Sequence, residues 1–201
     1  MEKYTRAAFH KKKAKPVDVK KWVWLGLKIF GAVLGLFIIS CTIWFLFSFK
    51  IYRSSNDGLE VRYPSQWVVK GHPAKDVLVA FVSPKDNALD TFAENYNFST
   101  YDMSKEPEPM TTKAYADKIV QQTAQVFNDL KLVENIPFIV AGHLGYKMVF
   151  RASSTVRLVL SLYVFTIEDK GYNILYLGAV DKFKKDNAIL DLVALTAKVM
   201  Y

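Results

Sequence analysis

Hydrophobic and polar positions change their period several times along this chain, and the changes mark its elements. From Trp22 to Phe49 the chain is apolar almost throughout, and Ile29 to Phe49 are 21 residues without a formal charge. A helix rising about 1.5 Å per residue covers with that run the roughly 30 Å of a bilayer's hydrocarbon core. The pattern predicts a transmembrane helix over 22–49. Trp22 and Trp24 at one end and Trp44 near the other match the aromatic belts of membrane interfaces, and Lys28 carries its ammonium back toward the headgroups on a long stem.

After the run the period becomes that of strands. A polar linker is expected over 50–57, with turn chemistry in Ser54-Ser55-Asn56-Asp57-Gly58. Alternation predicts strands at Leu59–Tyr63, Trp67–Lys70, Val77–Val82 and Asn95–Tyr101. Thr111 or Thr112 then caps a helix whose Tyr115, Ala116, Ile119, Thr123, Val126, Phe127 and Leu130 recur at helical spacing. Four strands follow, at 132–140, 146–152, 156–167 and 172–180, joined by turns short enough for antiparallel pairing. The strand from Val156 to Ile167 is apolar on both faces and predicts a strand covered on both sides. Asp181 is expected to cap a last helix with a stripe of Ile189, Leu192, Val193, Thr196, Val199 and Met200. The fold class is α+β, an antiparallel β-sheet flanked by α-helices over 58–201 and preceded by one transmembrane helix.

Charge changes the picture by where it sits. Residues 1–21 carry Lys3, Arg6, Lys11, Lys12, Lys13, Lys15, Lys20 and Lys21 against Glu2 and Asp18, so most of the net +8 belongs to a short basic tail and the head is nearly neutral. Basic residues flanking a span stay in the cytoplasm, which places the N-terminus inside and the C-terminal domain outside the cell membrane. The lipid bilayer is the first expected partner, and the tail's cations serve as a topology signal or touch anionic headgroups. Nucleic acid is not expected as a partner, because the tail has neither a binding fold nor an aromatic reader. Gly31 and Gly35 form a small-xxx-small pair that leaves open a homodimer through the helix or a groove filled by lipid. The single cysteine, Cys41, lies inside the run, so the head holds no disulfide, and an uncleaved anchor is favoured over a lipid-modified one.

Candidate chemistry is sparse. His10, His72 and His143 lack companions at metal-ligand spacing, and no serine stands in an activating motif. Asp86, Asp90 and Glu94 in one loop read either as oxygen ligands for an ion or as structural acceptors where the loop rejoins the sheet, together with Asn95. Trp67, in a hairpin with Tyr63 and Pro64, reads as packing or as a stacking contact for a ligand or partner. No cofactor and no catalytic residue is assigned.

The order of elements and several short motifs resemble the PsbP-like family, in the manner of a membrane-anchored bacterial DcrB-type relative. The carrying residues are Tyr63-Pro64-Ser65-Gln66-Trp67, Phe81-Val82-Ser83-Pro84, the stretch from Asp90 to Asn97 that is similar to the family's D-x-F-x-E-N-x-N, and Arg151 and Arg157 about a hairpin turn. The resemblance implies an antiparallel sheet flanked by helices and a non-catalytic docking or accessory domain with an envelope protein as partner. A membrane anchor stands where the family's namesake has its photosystem-binding tail, so a photosynthetic role does not carry over. A module for a small apolar ligand or ion, and an envelope hydrolase, are the alternatives.

Overall fold

A computed structural model describes residues 19–85, 93–127, 129–152 and 157–200. Most of the basic tail, Asp86, Asp90 and the turn at Ser153 and Ser154 lie outside the described residues, as do the side chains of Trp22 and Trp44. The chain divides into two compact units, Met1–Phe45 and Leu46–Tyr201.

Helix α1, Val19–Ser48, is 30 residues long, and no proline interrupts its ladder. Its large apolar side chains from Trp24 to Ile39 stand exposed wherever they are described, and open space lies over Gly31 and Gly35. Among the described residues no helix is long and apolar enough to cross a membrane.

The head corrects the expected linker at once. Phe49 leaves the helix and opens strand β1, Phe49–Ser54, which pairs antiparallel with β2, Leu59–Pro64, from Phe49↔Pro64 to Ser54↔Leu59. Lys50–Ser54 are therefore sheet, drawn in by Tyr52, whose ring meets Phe81 edge-on with centroids 5.9 Å apart. Only residues 55–58 turn, and Gly58 supplies the left-handed φ of 59° that the turn needs. The Gly58 carbonyl accepts the Met200 N–H at 2.6 Å, so a β-carbon there would meet the Met200 backbone. A two-residue strand β10, Lys198–Val199, completes a three-stranded sheet in the order β1-β2-β10.

Strands β3, Val68–Ala74, β4, Val77–Val82, β5, Asn95–Asp102, β6, Leu130–Val140, β7, His143–Ala152, β8, Leu158–Ile167, and β9, Lys170–Ala179, form a second sheet in the order β3-β4-β5-β9-β8-β7-β6. Every pairing in it is antiparallel. From Val159 to Phe165, strand β8 is buried on both faces. Val159, Tyr163 and Phe165 join a core with Phe81, Tyr96, Ile174 and the buried side of helix α3, Val180–Thr196, while Leu160, Leu162 and Val164 join Met148, Phe150 and Tyr115 beneath helix α2, Thr112–Val126. The Thr111 side chain accepts the Ala114 N–H and so caps α2.

Three details of the pattern are corrected. Residue Ala179 is the N-cap of α3 and makes no side-chain cap bond; Asp181 lies in the first turn, where it faces the positive end of the helix dipole. Helix α3 ends at Thr196, so Val199 and Met200 leave its stripe, and Val199 joins β10 instead. Val126 and Phe127, the last residue and the C-cap of α2, are 73% and 46% exposed, and Leu130 leaves the helical stripe to open β6. At the open edge, β6 bulges at Val133 and pairs Pro137 with Tyr146, two devices that blunt strand addition.

Buried charges tie the second layer down. Lys147, almost fully buried, donates to Asp191 at 2.7 Å and Asn187 at 3.0 Å, and the Tyr163 hydroxyl donates to the same Asp191 oxygen at 2.7 Å. Glu60 on β2 accepts from Arg53 and, at 3.0 Å, from Lys198, joining the C-terminal strand to the hairpin. Hydrogen bonds from Arg53 first and Lys198 second hold the Glu60 carboxyl below its ordinary range.

Replacing Asp191 with Ala strands a buried ammonium and is expected to lower stability by about 3–5 kcal/mol in urea unfolding of the full chain, whereas Asp117→Ala, on the exposed pair with Lys113, costs less than about 1 kcal/mol. Because the folded-state pKa of Glu60 is depressed, its contribution is present above the unfolded carboxylate value near 4.3 and is lost as pH falls through the folded value. Unfolding curves of Glu60→Gln should therefore fall below those of the parent at neutral pH and converge with them in acid. Parallel curves throughout would contradict this.

Candidate functional site

The candidates Trp67 and Glu94 meet in one cleft of about 360 Å³ at the end of the head where β2 turns into β3. Gln66 and Trp67 come from that turn, Ser83 and Pro84 follow β4, Glu94 precedes β5, and Asp181, Lys182 and Asp186 come from the first turns of α3. Local chemistry builds each wall. The Pro64 carbonyl accepts the Trp67 N–H at 2.9 Å and closes the turn, and the Ser48 carbonyl accepts the Ser65 N–H at 2.8 Å. The Trp67 ring packs on Tyr96 at 5.3 Å, Tyr96 stacks on Phe81 at 4.5 Å, and Tyr63 lies against Phe81 at 4.8 Å. Trp67 is thus a half-buried wall with its inner face committed to packing.

Glu94 is the electrostatic centre of the cleft. Only 3% of it is exposed, and burying a carboxylate is tolerated only with compensation. Ser83 Oγ donates to Oε2 at 2.8 Å, Lys182 Nζ donates to the same oxygen at 3.2 Å, and the Glu94 carbonyl accepts the Ser83 N–H at 2.8 Å. Lys182 Nζ also stands 3.0 Å from Oε1, poorly aligned for a hydrogen bond but close enough to pair with the carboxylate. Asp186, one turn beyond Lys182, accepts from the Tyr176 hydroxyl at 2.9 Å. Burial and the Asp186 charge push the Tyr176 hydroxyl's pKa well up, so it stays a donor.

Asn95 does not line the cleft. It sits in β5 between Val82 and Leu177, half-buried in the ladder. Asp86 and Asp90 fall outside the described residues. Among the described residues no group of three His, Cys, Asp or Glu side chains is placed to hold a metal ion. His72 lies 3.3 Å from Asp57, and His143 stacks on Phe165 at 5.7 Å. Lys182, Asp186 and Tyr176 were not legible as neighbours of Glu94, since Lys182 is 88 residues away. The one signal is the four-residue spacing of Lys182 and Asp186, which puts them on one face of a helix. Chemically the cleft offers charged hydrogen-bonding groups beside an indole wall, and its one hydroxyl–carboxylate contact, Ser83 to Glu94, has Lys182 on the same carboxylate.

A second concavity lies under the other helix. It measures about 160 Å³ and is lined by Phe127, Asp129, Leu130, Ala152, Leu158, Leu160 and Leu177.

No protein-family model matches the sequence, and no curated protein does either. Solved structures do match. The cyanobacterial PsbP, CyanoP, of Synechocystis is 17% identical over 76% of this chain and 93% of its own, with a TM-score of 0.58. LpqN of Mycobacterium tuberculosis is 6% identical over 76% of this chain and 91% of its own, at 0.52. A protein of unknown function from Pseudomonas aeruginosa, PA94, is 14% identical over 74% and 94%, at 0.46. The chain has a PsbP-like fold.

If Lys182 neutralises Glu94, then Lys182→Met, which strands the carboxylate, is expected to cost about 3–5 kcal/mol of stability, and Glu94→Gln, which keeps a hydrogen-bonding group, about 1–3 kcal/mol. The order of the two variants in urea unfolding is the check; the reverse order contradicts the ion-pair reading.

Proposed function

We propose that this protein is a single-pass, membrane-anchored docking domain of the cell envelope, with its N-terminus in the cytoplasm and its PsbP-like head outside. The observation that carries the reading is the run Ile29–Phe49, uncharged and long enough for a bilayer core, set between a basic tail and a nearly neutral head. Helix α1 extends over nearly all of that run. Strand β1 follows α1 directly in the chain, so few residues separate the head from the proposed span.

A non-catalytic role is supported by the state of the Glu94 cleft. Its buried carboxylate is engaged by Lys182 and Ser83, an arrangement suited to recognition or to holding the fold together. The solved structure of LpqN is described as that of a protein involved in cell envelope biogenesis, and it shares the fold at a TM-score of 0.52. That likeness supports an envelope accessory role; by itself fold does not assign function.

A phosphatase that is active only outside the cytoplasm, fused after Tyr201, is expected to be active; a stable but inactive fusion contradicts the topology. Crosslinking in native membranes followed by mass spectrometry is expected to recover an envelope protein joined to the head, with the yield lowered at least severalfold by Trp67→Ala. Recovery of the chain alone contradicts docking.

A further inference from the structure

The apolar concavity beneath α2 has no part in the docking reading, and its construction is specific. Helix α2 stops at Val126, short of one end of the sheet face it covers, and leaves there a floor drawn from four adjacent strands: Leu130 of β6, Ala152 of β7, Leu158 and Leu160 of β8, and Leu177 of β9. The register aligns them. Leu130 lies opposite Ala152, and Leu160 lies opposite Leu177. Phe127, 46% exposed, stands as the wall. The small residue is the opening: leucines surround Ala152, and a larger side chain there would fill the space. Well-packed interiors leave few voids larger than a water molecule.

We infer that this cavity is a binding site for one compact, uncharged hydrocarbon group, an aromatic ring or a branched alkyl group. Size supports this, because the hollow, though open to one side, has a volume of about 160 Å³, room for a guest of the size that apolar cavities of roughly 150 Å³ take up. Lining supports it as well: five of the seven lining residues are Leu or Phe, and beyond the Asp129 carboxylate water entering would find no ring of hydrogen-bonding side chains. Asp129 is the one acidic lining residue and no lining residue is basic, so the hollow offers an anionic head such as that of a fatty acid no cationic partner among its lining residues.

The test uses the full chain in lipid nanodiscs with ¹³C-labelled leucine methyls. Under increasing xenon pressure, the methyl signals of Leu130, Leu158, Leu160 and Leu177 are expected to shift and saturate, while Leu190, buried in the other core, stays in place. Toluene should reproduce the pattern and octanoate should not. Ala152→Leu is expected to abolish the saturable shifts. Phe127→Ala, at an exposed position that the fold tolerates, is expected to weaken them at least severalfold. Shifts that rise linearly without saturating, or that persist unchanged in both variants, overturn the site. Saturation by octanoate at lower concentration than toluene overturns the assignment to an uncharged group. None of these outcomes bears on whether the head docks a partner.

Discussion

The central strands of the larger sheet bury apolar side chains on both faces, and a sheet of that kind is stable only when water is kept from both. Strand β8, buried from Val159 to Phe165, imposes this most strongly. One cover is α2, capped by Thr111 and seated through Tyr115, whose hydroxyl reaches Asn173 at 2.8 Å. The other is composite: α3 and the small sheet of β1, β2 and β10 share one core with the sheet's second face. Polar contacts then fix where these covers sit. Lys147 and Asp191 pin the middle of α3, Lys182 and Glu94 pin its start, and Glu60 with Lys198 closes the chain end onto β2. The cleft beside Trp67 and the hollow under Phe127 are both places where a cover ends.

Most of the sheet was legible because alternation and turn chemistry agree. The predicted bounds of β4 coincide with the observed strand, and the turn at Ala141 and Gly142, both at positive φ, joins β6 to β7 as expected. The failures are local readings overridden by tertiary pairing. Lys50–Ser54 looked like linker because its alternation is short, and only pairing with β2 makes it a strand. Val199 fits the helical stripe by spacing, yet β2 claims it as a sheet partner. Asp181 is a good capping residue two positions too late. In the candidate site, Trp67 and Glu94 could be nominated from their neighbours in sequence. Lys182 could not, because a salt bridge across 88 residues leaves no periodic trace. Lys147 was hidden for the same reason, a charged residue on an inward strand position whose partner lies on another element.

The same physics bears on function. A carboxylate placed in a protein interior needs hydrogen-bonding or charged partners, and Glu94 has both in Ser83 and Lys182. What distinguishes this chain from a free-standing PsbP-like domain is the apolar helix that runs directly into its first strand.

The most direct measurement of that account is thiol labelling with a membrane-impermeant maleimide in a Cys41→Ser background, in cells whose cytoplasmic membrane is intact. Cysteine substituted for the exposed Gln66 of the head should be labelled without permeabilisation, and cysteine substituted for Lys13 only after it. Labelling of the Lys13 variant alone, or of neither until the membrane is opened, would contradict a head held outside the cell by α1.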